Sequence, residues 1–216
     1  MSFPKVAYDN APAALSGMMN AASTNGLSDI VGKGFEATRD ALIANMTLGV
    51  PGANPPISFG PGTIGVGGFR KQSVTRRGEL IVTELLIDLT GLASVATDLD
   101  IIGLAAAAPA SYLGQVTADI NGTIIGGSMK CLEVPAGGAI DIDLYAATEA
   151  TGAYDIGVGT LTETIVVTSG GNWTIGRELG ISPDSVAANQ YLYLTSGAAT
   201  AGTFTAGRFL ITLIGY

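Results

Sequence analysis

The chain has 216 residues, of which 47% are hydrophobic and 13% are charged, and its formal net charge is −8. The absence of histidine and the single cysteine, Cys131, exclude histidine-based catalysis, most zinc and iron sites and an internal disulfide. This length supports one sizeable core. Such a weakly charged surface is typical of a well-packed soluble domain or of a protein buried in an assembly, and we favour the assembly.

Residues 1–77 are predicted to form an extended N-terminal arm. The N-terminus lacks the apolar core of a signal peptide, so we expect synthesis in a cytoplasm. Apolar residues at helical spacing predict one short helix at about residues 34–48. Residues 49–69 are rich in glycine and proline, and a long connection of this kind is typical of a segment that reaches a partner.

The charge changes sign at the end of the predicted arm. Residues 1–77 carry a net charge of +3, and residues 78–216 carry one of −11. Such basic runs are commonly solvated, but they also suit an acidic partner protein or the acidic body of a neighbouring subunit. Nucleic acid is a weaker match because the whole protein is acidic, so we expect no nucleic-acid partner. The candidate partner interface is the basic cluster at this junction, Arg70, Lys71, Arg76 and Arg77.

A three-stranded meander is predicted in the middle of the chain. Residues 115–120 alternate between polar and apolar side chains, and Asn121-Gly122 favours a two-residue turn into a return strand at residues 124–132. A Pro-Ala-Gly-Gly turn then leads into a third strand at residues 140–145. The chain is thus expected to be built outward from antiparallel strands.

Further strand patterns predict a mainly β fold for the body, residues 78–216. Eight or so short strands separated by turn residues are typical of an antiparallel two-sheet sandwich, jelly-roll-like in topology. The last strand is apolar on both faces, so we expect it to be central or covered by another subunit. The other predicted strands are residues 79–89, 154–158, 161–168, 173–175, 191–195 and 203–214.

Two long uncharged stretches, residues 41–69 and 101–118, do not predict membrane spans. Prolines and glycines interrupt the first stretch. The second is mostly alanine and contains several polar residues, so it is too weakly apolar. We therefore expect no membrane partner.

Paired carboxylates are the candidates for acid–base or metal chemistry. Asp141 and Asp143 point the same way from one strand, about 7 Å apart by strand geometry. Asp98 and Asp100 are one residue apart in a predicted loop. Both pairs are compatible with a calcium site, and the first also with glycoside hydrolysis. Such pairs are usually solvated, however, and we predict no catalytic residue, no cofactor and no metal.

Four stretches give the chain a resemblance to a known group of proteins: GELIVT at 78–83, MKCLEVPAGG at 129–138, YLYLT at 191–195 and AGRFLI at 206–211. In overall style the chain resembles structural proteins of tailed bacteriophages, particularly the capsid decoration or cement proteins of marine and cyanobacterial phages. The resemblance implies a β-rich protein, often a homotrimer, on the outside of the shell at local threefold positions. There it would bridge neighbouring copies of the major capsid protein.

The function expected from this resemblance is that of a non-enzymatic virion protein. It would be made in the host cytoplasm and would stabilise a capsid from its surface. Other virion roles remain open, namely a tail, baseplate or fibre component or a small major capsid protein. A carbohydrate-binding sandwich module is the alternative of another class, and it would use exposed aromatic side chains such as Trp173.

Overall fold

The computed structural model describes residues 57–106 and 109–216. The predicted helix at residues 34–48 and the predicted arm as far as residue 56 lie outside these residues. The described part is mainly β, with antiparallel sheets and one short helix, α1, at Ala118–Asn121. Its strands are β1 (Arg70–Arg77), β2 (Leu80–Asp88), β3 (Ala93–Ser94), β4 (Gly114–Gln115), β5 (Ile124–Ala136), β6 (Ile142–Ala147), β7 (Glu163–Val167), β8 (Glu178–Ile181), β9 (Tyr191–Ser196), β10 (Gly202–Thr203) and β11 (Ala206–Gly215).

The strands form two main sheets that share one core. The first sheet has the order β1-β2-β11-β5-β8, the second has the order β4-β9-β6-β7, and β10 pairs with β3. Alternate residues of both sheets belong to one buried cluster, and burial of their apolar surface is the main stabilising contribution. The arrangement is consistent with a β-sandwich. Core residues include Leu85, Met129, Cys131, Phe209 and Ile211 from the first sheet and Ile142, Leu144, Leu192 and Leu194 from the second.

The central position predicted for the last strand is confirmed. β11 lies between β2 and β5 and pairs with both of them. Its inward-facing residues are fully buried, and its outward-facing residues Leu210 and Ile214 are half-buried. Both faces are therefore shielded to some degree, as the continuous apolar run requires.

The predicted meander is wrong. β5 pairs with β11 and β8, whereas β6 pairs with β7 and β9, so the second and third predicted strands lie in different sheets. The first predicted strand, residues 115–120, is replaced by the end of β4 and by α1. The chain therefore crosses between the sheets where the sequence pattern predicted adjacent strands.

Side-chain hydrogen bonds explain why Asn121-Gly122 is not a hairpin turn. Thr117 caps α1, and its hydroxyl accepts a hydrogen bond from the amide of Ile120 (3.4 Å). Asn121 is fully buried: its Oδ1 accepts from the amide of Thr117 (2.8 Å) and its Nδ2 donates to Oγ1 of Thr83 (2.9 Å). The asparagine thus fixes the helical turn to β2, which a hairpin would not allow.

Replacing Asn121 by alanine is expected to lower the free energy of unfolding by about 3 kcal/mol, because two buried polar groups would lose their partners. Urea denaturation followed by circular dichroism would measure the loss. Asp119→Ala, an exposed change in the same helix, should cost no more than about 0.5 kcal/mol. Equal effects of the two substitutions would contradict the role given to Asn121.

Residues 57–77 belong to the folded part of the chain. Ile57 lies in the core, and β1 pairs with β2 along its whole length. The predicted boundary between arm and body at residues 77 and 78 therefore falls at the turn of a β-hairpin, where Gly78 has a φ of 66°. β1 carries a single buried apolar residue, Val74, so its sequence lacks the alternation by which strands are recognised.

Two other predicted strands are loops. Residues 154–158 contain Asp155, whose φ is 65°, and they lie over the outer face of the second sheet, where Val158 packs in a small cluster with Tyr145 and Tyr193. Residues 173–175 turn Trp173 into the core. Val158 and Trp173 are therefore buried by loops rather than by strand pairing.

Candidate functional site

The four basic residues of the candidate interface all lie on β1, which has a neighbouring strand on one side only among the described residues. Arg70 and Lys71 begin the strand, and Arg76 and Arg77 end it. Strand geometry separates the two pairs by about 20 Å. The residues therefore form two pairs along one sheet edge rather than one cluster.

Arg70 has a structural role in this edge. Its Nη1 donates to the carbonyl of Gly60 (2.7 Å) and to Oγ1 of Thr63, and its guanidinium lies 4.8 Å from the ring centroid of Phe59. Burial lowers the pKa of Arg70. The sequence did not reveal this role, because the partners lie in a glycine- and proline-rich segment that was interpreted as an arm.

The remaining basic residues of β1, Lys71, Arg76 and Arg77, are exposed and make no ion pair with another described residue. All three basic residues outside β1 in the described region bond internally. Lys130 pairs with Glu178 (3.2 Å). Arg177 donates to the carbonyls of Ser169, Gly171 and Asn172, and Arg208 pairs with Asp88 and Glu133. The positive charge that faces solvent is thus concentrated along one sheet edge.

An apolar strip, interrupted by the exposed Glu84 of β2 and by Thr212 of β11, borders this edge on the outer face of the first sheet. Leu86 of β2 lies opposite Leu210 of β11, and Val82 lies opposite Ile214. All four side chains are half-buried. Lys71 of β1 is the register partner of Leu86, so positive charge and apolar surface adjoin. This combination is typical of a protein-binding surface.

The ion pair between Asp88 and Arg208 is the most buried of the internal pairs described above. The carboxylate is buried and accepts hydrogen bonds from Nε of Arg208 (2.9 Å) and from the amide of Thr90 (2.9 Å). Burial alone would raise the pKa of Asp88, but the hydrogen bonds from Thr90 and Arg208 outweigh it and lower the pKa. Asp88 therefore contributes stability that is present above the carboxyl pKa of the unfolded chain and is lost as the pH falls through the folded-state pKa.

Replacing Asp88 by asparagine is expected to cost about 2 kcal/mol of unfolding free energy at neutral pH, since a charge-assisted hydrogen bond is lost. The cost should begin to shrink below about pH 4, where the carboxyl group of the unfolded chain becomes protonated, and should vanish only as the pH falls through the lowered pKa of Asp88 in the folded state. Urea denaturation at several pH values would measure it. Glu84→Gln, an exposed change in the same strand, should show no such trend, and a pH-independent cost for Asp88→Asn would contradict the assignment.

One of the two predicted carboxylate pairs, Asp141 and Asp143, converges at one end of the second sheet. Asp143 is buried in β6, and Asp141 immediately precedes that strand. A Cβ built on Gly197 would lie 2.7 Å from Oδ1 of Asp141 and 3.2 Å from Oδ2 of Asp143, so both carboxylates approach the same point. Burial and then the charge of Asp143 raise the pKa of Asp141, and Asp98 adds to this effect. Asp100 is buried nearer Gly157.

The described residues offer little support for a small-molecule pocket, a sugar-binding surface or a membrane-spanning helix. A surface depression of about 380 Å³ is lined by small residues of α1 and of residues 183–188, without converging polar groups among its described lining. Trp173 is buried, so its ring is not exposed for stacking on a sugar. In the described ranges, no helix has both the length and the apolar character needed to cross a membrane.

No protein-family model, no curated protein and no solved structure matches the chain. The proposed function therefore depends on the geometry of the described residues.

Proposed function

We propose that this protein is a virion structural protein that decorates a phage capsid and stabilises it by bridging neighbouring major capsid proteins, acting as a homotrimer. The observation that carries the proposal is the concentration of solvent-facing positive charge on β1. The described residues carry seven basic and fourteen acidic side chains, so this edge stands out from an acidic body. A positive edge beside an apolar strip suits an acidic protein surface.

The strand order supports a jelly-roll topology, which we include in the proposal. Without β1, β3 and β10, eight strands remain in two sheets of four, β2-β11-β5-β8 and β4-β9-β6-β7. Between consecutive members of this set the chain changes sheet at every step except from β6 to β7. Jelly rolls occur in viral capsid proteins but also in lectins, so the fold alone does not select the function. The arm, now restricted to residues before 57, also belongs to the proposal.

Docking through β1 would rest on two kinds of contact. The backbone groups of an edge strand can pair with a strand of a partner, and the flanking basic side chains can pair with carboxylates. Each contact is weak, but a trimer engages several capsid proteins at once and gains affinity by multivalency. Basic residues on edge strands also prevent unwanted strand pairing, so a direct measurement of assembly is needed.

The test is the mass of the purified protein by light scattering, followed by binding to empty shells of the source virus. The proposal expects a trimer that binds shells at a copy number approaching that of the major capsid protein. A monomer that does not bind shells would contradict it. A protein found in only a few copies in purified particles would instead indicate a tail, baseplate or fibre component, and binding to a glycan array would indicate a carbohydrate-binding module.

A further inference from the structure

Buried oxygen atoms without hydrogen-bond partners gather where β6 begins and β9 ends. Four buried side-chain atoms in the described residues lack a partner, and three of them are Oδ1 of Asp141, Oγ of Ser169 and Oγ1 of Thr195. Buried polar atoms are rarely left unpaired in folded proteins, so three in one place require an explanation. We call Asp141, Asp143, Ser169 and Thr195 the end cluster.

Sheet register and backbone hydrogen bonds bring the residues of the end cluster together. Thr195 is 0% exposed and lies directly opposite Asp143, so both side chains leave the sheet on the same face. Ser169 is 3% exposed, and its amide donates to Oδ1 of Asp143 (2.6 Å). The amide of Gly197 donates to the carbonyl of Asp141, and this glycine leaves room between the two carboxylates.

The charge within the end cluster is only partly balanced by the protein around it. Arg177 is the basic residue that acts on Asp141, but its guanidinium is bonded to backbone carbonyls. Asp143 is buried and Asp141 is half-buried, and a bound cation would balance two carboxylates at such close range.

We propose that the end cluster binds a divalent cation, with Ca²⁺ the best match. Ca²⁺ accepts six to eight oxygen ligands in a flexible geometry and combines carboxylates with neutral oxygens and water. Asp141 and Asp143 would supply the negative charge, and the hydroxyls of Ser169 and Thr195 would supply neutral oxygens. Among the described residues no third acidic side chain completes a metal-binding group. We therefore expect weak binding, with a Kd of about 0.1–1 mM, as in extracellular calcium modules.

A bound cation would join β6, β9 and the loop that contains Ser169. It would thus close one end of the second sheet, which does not contain β1. The inference does not rest on the proposed function, because it follows from the register and burial of the end cluster alone.

The test is thermal and urea denaturation of the full chain, freed of metal by a chelator, with and without CaCl₂. At about 10 mM CaCl₂ the folding equilibrium should shift about 10- to 100-fold towards the folded state. Asp141→Asn should abolish this shift. Without calcium the same variant should be as stable as the wild type or more so, because it removes a repelling charge.

Three controls make the outcome decisive. Asp184→Asn, an exposed change outside the end cluster, should keep the full calcium response, and KCl at matched ionic strength should not reproduce it. Thr195→Val keeps the side-chain shape and should weaken the calcium response. It replaces Asp141→Asn as the test variant if Asp141→Asn does not fold. If the wild type does not respond to calcium, magnesium or manganese, the proposal is overturned.

Discussion

Replacing Trp173 by alanine is expected to lower the free energy of unfolding by about 4 kcal/mol, near the upper end for a large-to-small substitution in a core. The side chain is 1% exposed. Its Nε1 donates to the carbonyl of Ile142 in the second sheet (2.7 Å), and its ring packs edge-to-face on Phe209 of the first sheet at 5.2 Å. Alanine would therefore remove a contact that joins the two sheets and leave a cavity between them.

The matched substitutions separate packing from hydrogen bonding. Trp173→Phe keeps an aromatic ring but loses the donor to Ile142, so we expect a loss of about 1–2 kcal/mol. Ile175→Ala, two residues away, changes a side chain that is 73% exposed and should stay within about 0.5 kcal/mol of the wild type. Guanidinium denaturation followed by circular dichroism suits all three variants. A loss below about 1.5 kcal/mol for Trp173→Ala would contradict the bridging role.

Replacing Lys71, Arg76 and Arg77 together by serine is expected to weaken binding to shells about tenfold at low salt. Each exposed charge pair is worth about 0.2–1 kcal/mol, and three such pairs account for this factor. The difference should diminish as salt screens the remaining charges. Sedimentation of shells with bound protein, over a series of NaCl concentrations, would give occupancy and salt dependence together.

Two single variants test whether the effect belongs to the exposed charges. Arg70→Ser should reduce the stability of the protein, because it removes the bonds to Gly60 and Thr63, but the folded fraction should bind with an unchanged salt dependence. Lys130→Ser removes a basic residue already paired with Glu178 and should leave occupancy nearly unchanged. If the triple variant binds as the wild type does at every salt concentration, electrostatic docking through β1 is wrong.

Strands with a regular apolar pattern could be predicted from the sequence. β2, β9 and β11 lie within one or two residues of their predicted bounds, apart from the start of the last strand, where β10 and a turn precede β11. These segments alternate or are continuously apolar, so local pattern and burial agree. β1 and α1 were not predicted, for different reasons. β1 has a single buried apolar residue, so it lacks an alternating pattern, whereas α1 is stabilised by a hydrogen bond from Asn121 to the distant strand β2.

The candidate sites show the same limit. Spacing alone places Asp141 and Asp143 on one side of a strand, but it does not show that Thr195 and Gly197 lie opposite them. Likewise the sequence groups four basic residues, although strand pairing places Arg70 in a structural contact and leaves three others at the edge. Contacts between residues far apart in the sequence depend on which strands pair and in which register. The local pattern of a single sequence does not predict this pairing.

The central position of β11 delays the completion of the fold during synthesis. Arg208 bonds to Asp88, which precedes it by 120 residues, and β2 and β5 are joined only through this last strand. Until residues 206–215 leave the ribosome, β2 and β5 each have an unpaired edge. Contacts so distant in sequence slow folding and expose the nascent chain to aggregation. The first sheet can therefore be completed only after β11 has been synthesised.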